Sequence, residues 1–191
     1  MSALGAGTPQ AAAGLVTIDD VRRAADRLAG RVHRTPVLRS TSLGKLWGVR
    51  LDLKAELFQR TGSFKPRGAL NKVLSLSAED RARGVITLSA GNAGAAVAYA
   101  AASVGVPGTV VMPATAVPAK IAACRAYGAD VVLTDGDLVD TYLATVAETG
   151  RTPVHPFDDP AVVAAPAPSA WRSPRTCPTP RSCSSRSAGV A

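Results

Sequence analysis

The apolar positions of this chain follow two rhythms. Ile18, Val21, Ala24, Ala25 and Leu28 recur at three- and four-residue spacing, preceded by Thr17 and followed by Gly30. That spacing predicts a surface helix with Thr17, Asp19 and Asp20 at its positive end and glycine as its stop. After Arg34-Thr-Pro36, where proline favours an extended entry, Val37-Leu38 reads as a short strand, Leu43 to Trp47 as a short helix and Arg50 to Glu56 as an alternating strand.

From Gly84 the unit shortens. Val85 to Leu88, Gly108 to Met112 and Asp130 to Leu133 are compact apolar strands, separated by small-residue helices at about Ala93 to Ser103 and Pro118 to Tyr127, the second closed by Gly128. A further helix is expected from about Leu138 to Glu148 and one more strand at Pro153-Val154. Strand and helix alternating this closely predict an α/β fold, a parallel sheet with flanking helices.

Composition changes the picture at the C-terminal end. Of 191 residues 47% are hydrophobic, enough to bury a core. All 14 acidic residues lie at or before Asp159, whereas Ala161 to Ala191 carries four arginines and no acid; without those arginines the net charge of +8 falls to +4. The basic excess therefore does not identify an anionic partner, and the tail lacks the interleaved aromatics of a nucleic-acid binder, so no nucleic acid is expected. No apolar run reaches the roughly 18 to 20 residues that span a bilayer, and Met1 to Gly14 has no basic start or continuous apolar centre. These features predict a soluble cytoplasmic protein, no membrane partner and a flexible lead over residues 1–15. Cys124, Cys177 and Cys183 form no paired motif, so neither a disulfide framework nor a zinc site is expected.

Two segments carry candidate chemistry. Val85 to Leu88 runs into Ser89-Ala-Gly-Asn-Ala-Gly94 and then an alanine-rich helix, a strand-to-helix junction of the kind that presents free N–H groups to anions; it reads equally as a structural cap. Gln59-Arg-Thr-Gly-Ser-Phe-Lys-Pro-Arg-Gly68 sets Lys65 between an aromatic residue and a proline. A lysine attacks a carbonyl only when neutral, so burial or a nearby cation such as Arg67 must lower its pKa; the alternative is a solvated lysine.

Together these segments resemble the fold type II, tryptophan synthase beta-like family of pyridoxal phosphate enzymes, most closely its threonine/serine dehydratase and serine racemase branch. The resemblance covers about Val16 to Pro160. It rests on Arg34-Thr-Pro36, Thr61-Gly-Ser-Phe-Lys-Pro-Arg-Gly68, Ser89-Ala-Gly-Asn92 and His155-Pro-Phe-Asp-Asp-Pro160.

It implies pyridoxal 5'-phosphate as cofactor, bound through Phe64, Lys65 and Asn92. Lys65 would form the internal aldimine and then take the substrate Cα proton, Phe64 would pack on the pyridine ring, and Asn92 would bond the cofactor's 3′-oxygen. Ser63 with Ser89, Ala90 and Gly91 would receive the carboxylate of a small amino-acid substrate. The implied reaction removes water from threonine or serine to give a 2-oxo acid and ammonia. A homo-oligomer is implied for the intact family member.

The chain departs from the pattern twice. Ala93 stands where many relatives carry histidine, which removes a usual contact. Ala90 stands where the similar racemases carry a serine acid, and alanine cannot move a proton, which favours elimination over racemisation. Racemisation or elimination from another hydroxy amino acid remains the alternative on this scaffold, and a non-catalytic binding protein the alternative outside it. His33 reads as a surface residue and His155 has no assigned catalytic duty. Asp130, Asp135, Asp137 and Asp140 read as a strand end and helix start rather than a metal site, and no metal is expected.

The resemblance implies a helix, a buried strand and a glycine-rich phosphate loop after the Asp-Asp-Pro segment, and none is visible after Pro160. From Ala165 the chain has five Pro, six Ser and no Leu, Ile, Phe or Tyr. Shifting the reading frame changes this: each serine codon TCN then yields an apolar residue. Ser182-Cys-Ser-Ser185 becomes four apolar residues and Ala188 to Ala191 can become glycines. Residues 16–164 thus read as the N-terminal part of the enzyme fold and 165–191 as an irregular, out-of-frame tail, a frame change an intact coding sequence would refute. On this reading the chain is truncated before its phosphate loop, aggregation-prone and essentially inactive.

Overall fold

The computed structural model describes residues 16–165. Helix α1 (Ile18–Arg27) starts at Thr17, whose side chain accepts from the Asp20 amide while the Asp20 carboxylate accepts from the Thr17 amide. Strands β1 (Val37–Arg39) and β2 (Asp52–Lys54) pair antiparallel around α2 (Thr41–Trp47). Two short 3₁₀ turns, Glu56–Phe58 and Arg60–Gly62, lead into α3 (Lys65–Ser75). The strand expected over Arg50 to Glu56 is thus only its middle, because Glu56 already turns.

Helix α4 (Ala78–Arg83), which the apolar pattern does not mark, is capped by Ser77 and carries its acids first and arginines last. The βα units follow: β3 (Val85–Leu88), α5 (Asn92–Val104), β4 (Gly108–Pro113), α6 (Pro118–Ala126), β5 (Asp130–Thr134), α7 (Leu138–Thr149), β6 (Thr152–Pro153) and α8 (Pro160–Ala164). Helix α6 closes at Gly128 with φ +77°, the left-handed cap glycine permits. The expectation that no helix follows Pro160 is corrected by α8. Asp159 caps it through the Ala161 and Val162 amides, and Pro160 suits its first position.

The central sheet runs β5-β4-β3-β6, parallel throughout. Its core strands read as unbroken apolar runs because both faces are covered. Val110 and Met112 point at α5 and α6 with Ala95, Ala98 and Cys124, and by alternation Thr109 and Val111 face the side where α7 packs. A second core, Leu70, Val73, Val85, Ala96, Val97, Ala100, Val154 and Val162, joins α3, α5 and α8. Helix α8 lies tight on α3: a Cβ on Gly68 would stand 2.8 Å from Val162 Cγ1. Asn71 donates to the Ala161 carbonyl, and Lys72 pairs with Asp159 at 2.7 Å.

The chain reverses direction across the sheet between β3 and β6, since β4 and β5 lie on one side of β3 and β6 on the other. In open parallel sheets that reversal opens a crevice at the carboxyl ends of the strands. Here it separates the loop after β3, residues 89–91, from the loop after β6, residues 154–157. Among the described residues no helix is long and apolar enough to cross a membrane.

Candidate active site

The loop that delivers Lys65 is fixed by a buried polar network. Gln59, 4% exposed, accepts from the His33 and Arg60 amides and donates to the His33 carbonyl. Arg67, 6% exposed, makes a fork of bonds to Glu56 at 2.8 and 3.0 Å and a third to the His33 carbonyl. Burial alone would raise the Glu56 carboxyl. Hydrogen bonds from Arg67 and Thr35, with the Arg67 charge, outweigh it and hold the group below the usual carboxylate range.

This network corrects one expectation. Arg67 adjoins Lys65 in sequence but turns to Glu56, so its charge is matched there; burial is what lowers the Lys65 amine below the usual lysine value.

Between the anchors the backbone is strained. Thr61 holds φ +60°, costly for a β-branched residue, and Gly62 follows at +71°. The kink buries two side-chain oxygens, Thr61 Oγ1 and Ser63 Oγ, without a hydrogen-bond partner. Two unpartnered hydroxyls on one loop are available to a polar ligand. The Thr61 turn packs against α5.

Lys65 opens α3 and reaches into the crevice, where Nζ donates to the Pro156 carbonyl at 2.9 Å. It lies 5.1 Å from the centroid of the Phe64 ring, which is itself 43% exposed. The buried stem of Lys65 borders a crevice of about 10 Å³, room for one water, lined by Ala69, Ala93, Val97, Val154, His155 and Val162. A wider depression of about 570 Å³ along β1 and α2 contains none of the motif residues.

Across the reversal, the Gly91 amide donates to Ser89 Oγ and Asn92 is the first residue of α5. No side chain caps this helix, which leaves its first amides for a ligand. Gly94 lets α5 sit down on the sheet: a Cβ there would lie 2.9 Å from both the Ser89 carbonyl and Val110 Cγ1. Asn92 Oδ1 accepts from Lys120 Nζ at 2.8 Å.

The structure therefore places Lys65, Phe64 and Ser63 on one loop and Ser89, Ala90, Gly91 and Asn92 on the loop after β3. Thr61, Lys120 and the Pro156 carbonyl join them without having been singled out from sequence. Thr61 lies inside the motif, but its orphaned hydroxyl and left-handed backbone are visible only in the fold. Exposed His33 is held through its backbone, and its Nδ1 bonds the Phe58 carbonyl. His155 accepts from the Phe157 and Asp158 amides and stacks edge-on against Phe157, a loop-shaping role. Asp137 caps α7, and no metal-binding cluster occurs among the described residues.

A half-buried lysine at the carboxyl edge of a parallel sheet, with two unpartnered hydroxyls on its loop and an uncapped helix start across the crevice, could hold an anionic carbonyl compound. The sequence pattern of the family described as "Pyridoxal-phosphate dependent enzyme" matches residues 28–170, and the chain belongs to that family. It is 47% identical over 147 residues to an L-threonine ammonia-lyase of Geobacter sulfurreducens, covering 75% of this chain and 37% of that protein. Against the catabolic L-threonine dehydratase of Escherichia coli it is 43% identical over 153 residues, 78% of this chain and 46% of that one. Among solved structures, maize serine racemase matches with a TM-score of 0.80 at 34% identity, over 84% of this chain and 51% of that chain. The chain thus spans less than half the length of these two curated relatives.

Proposed function

We propose that residues 16–164 form the lysine-bearing part of a pyridoxal phosphate-dependent ammonia-lyase acting on threonine or serine. The observation that carries this reading is Lys65: an amine lowered by burial, held by one carbonyl, within a loop whose Thr61 and Ser63 hydroxyls lack partners. Those residues fit the cofactor's chemistry, since a neutral amine is what an aldehyde requires and orphaned donors are what a carboxylate requires. When bound, pyridoxal phosphate supplies an electron sink for charge developing at the substrate Cα.

The chain's own residues do the rest. Lys65 holds the cofactor and moves the proton at Cα. Thr61, Ser63 and the amides from Ser89 to Asn92 bind the carboxylate and fix the Cα–H bond toward Lys65. Phe64 would cover the ring of the bound cofactor and keep water from the reacting face. Ala90 offers no proton to the opposite side, so the pathway leads to loss of the β-hydroxyl, 2-oxo acid and ammonia rather than to inversion.

Addition of pyridoxal phosphate to the purified chain is expected to raise a visible absorbance band that threonine or serine then alters and Lys65→Ala abolishes. A band that persists in Lys65→Ala overturns the assignment. Salt-sensitive retention on DNA without the band would favour the non-catalytic alternative.

A further inference from the structure

Lys120 stands on the third residue of α6, in the turn where a helix presents its positive end. A cation there is electrostatically disfavoured, and neither α6 nor α5 carries an acid in its first turn to offset it. Among the described residues Lys120 makes no ion pair. Its ammonium is aimed instead at Asn92 Oδ1, 28 residues earlier and 2.8 Å away. A residue that breaks a local preference without a local compensation points to a role elsewhere.

The chemistry of the contact sets that role. An ammonium has three donors and no acceptor, so it can face only the oxygen of a carboxamide. With Oδ1 held by Lys120, the amide is kept from flipping, and its NH₂ is left to donate to another group. The positive charge also polarises the amide and strengthens it as a donor to an anion.

We propose that Lys120 is a positioning residue: it orients and polarises Asn92 so that this side chain donates to an anionic oxygen of the bound cofactor. This rests on the pyridoxal phosphate reading above and adds to it a cation that acts through Asn92 alone. A freely rotating Asn92 would present its oxygen to the ligand half of the time and repel it. Polarised by Lys120, the Asn92 NH₂ also favours the deprotonated form of the oxygen it contacts.

The test is an absorbance titration of the full chain with pyridoxal phosphate across pH, for the wild type, Lys120→Met, Lys120→Arg, Asn92→Ala and the double variant. Lys120→Met should weaken half-saturation roughly tenfold, the worth of one charge-assisted hydrogen bond, and move the pH midpoint of the visible band upward. Lys120→Arg should restore both. In the Asn92→Ala background Lys120→Met should change half-saturation less than about twofold, because the partner through which it acts is gone. Should Lys120→Met lose its far-ultraviolet dichroism, Lys120→Gln takes its place. A wild-type band with unchanged titration in Lys120→Met refutes the inference and leaves the cofactor reading standing, as does a tenfold loss that persists without Asn92. No band in the wild type removes the reading and the inference with it.

Discussion

Replacement of Arg67 by methionine tests the network that aims the Lys65 loop. The variant keeps the length of the side chain but deletes both bonds to Glu56 and the bond to the His33 carbonyl. Glu56 is then left with the Thr35 hydroxyl at 2.6 Å and the charge of Lys54. Both side chains of the pair are nearly inaccessible, at 7% and 15%. Breaking a pair this buried strands a charge and costs about 3–5 kcal/mol, a large part of the ~5–15 kcal/mol that holds a domain together. The pH response fixes the sign. In the wild type Glu56 lies below its ordinary value of 4.5, so its stabilisation is complete above that pH and is lost only as pH falls through the folded value. In Arg67→Met burial dominates and the folded value lies above 4.5, so the penalty eases as the solution is acidified. Urea unfolding followed by far-ultraviolet dichroism at pH 7 and pH 5 should give a deficit of about 3–5 kcal/mol that shrinks at pH 5. A deficit below about 1 kcal/mol at pH 7, the scale of an exposed pair, or one that grows at pH 5, refutes the reasoning.

Thr61→Gly should relieve the left-handed backbone and raise stability by up to about 1 kcal/mol, while weakening binding of threonine to the cofactor-loaded chain. Unfolding and spectral titration on one preparation read the two effects, and a loss of both is the contrary result. Gly94→Ala forces a methyl against the Ser89 carbonyl and Val110, and thermal or urea unfolding should report a cost of about 1–3 kcal/mol; an unchanged midpoint would mean α5 is not seated as described. Because burial lowers the Lys65 amine, acylation of that residue, followed by peptide mass spectrometry, should reach half its maximal rate at a lower pH than a lysine peptide with its ordinary value near 10.5. Coincident profiles would remove the neutral-amine argument.

The sequence makes the parallel sheet legible because Val85 to Leu88, Gly108 to Met112 and Asp130 to Leu133 are each short and apolar, and each is divided from the next by a small-residue helix. Helix α4 escapes that reading because Ala78 to Arg83 is held by its cap and charges and buries no side chain. Helix α8 escapes it for a different reason: Val162 and Ala164 are too few to show a period, and their partner Gly68 lies far back in the chain. At the site, Lys65 and the 89–92 loop stand out through their residue types. The Lys65–Pro156 bond and the Asn92–Lys120 contact do not, because each depends on which loops the topology brings together, and the Glu56–Arg67 fork does not because it depends on how the two turns between them fold back. The proposed out-of-frame tail over residues 165–191, apart from Ala165, and the lead over residues 1–15 lie outside the described residues.

The central claim is that Lys65 is the residue that takes the cofactor. Incubation of the chain with pyridoxal phosphate, borohydride reduction and peptide mapping should place the adduct on Lys65 in preference to Lys45, Lys54, Lys72 and Lys120, and Lys65→Ala should eliminate that preference. An adduct spread evenly over the lysines, or concentrated on one of the others, would contradict the account.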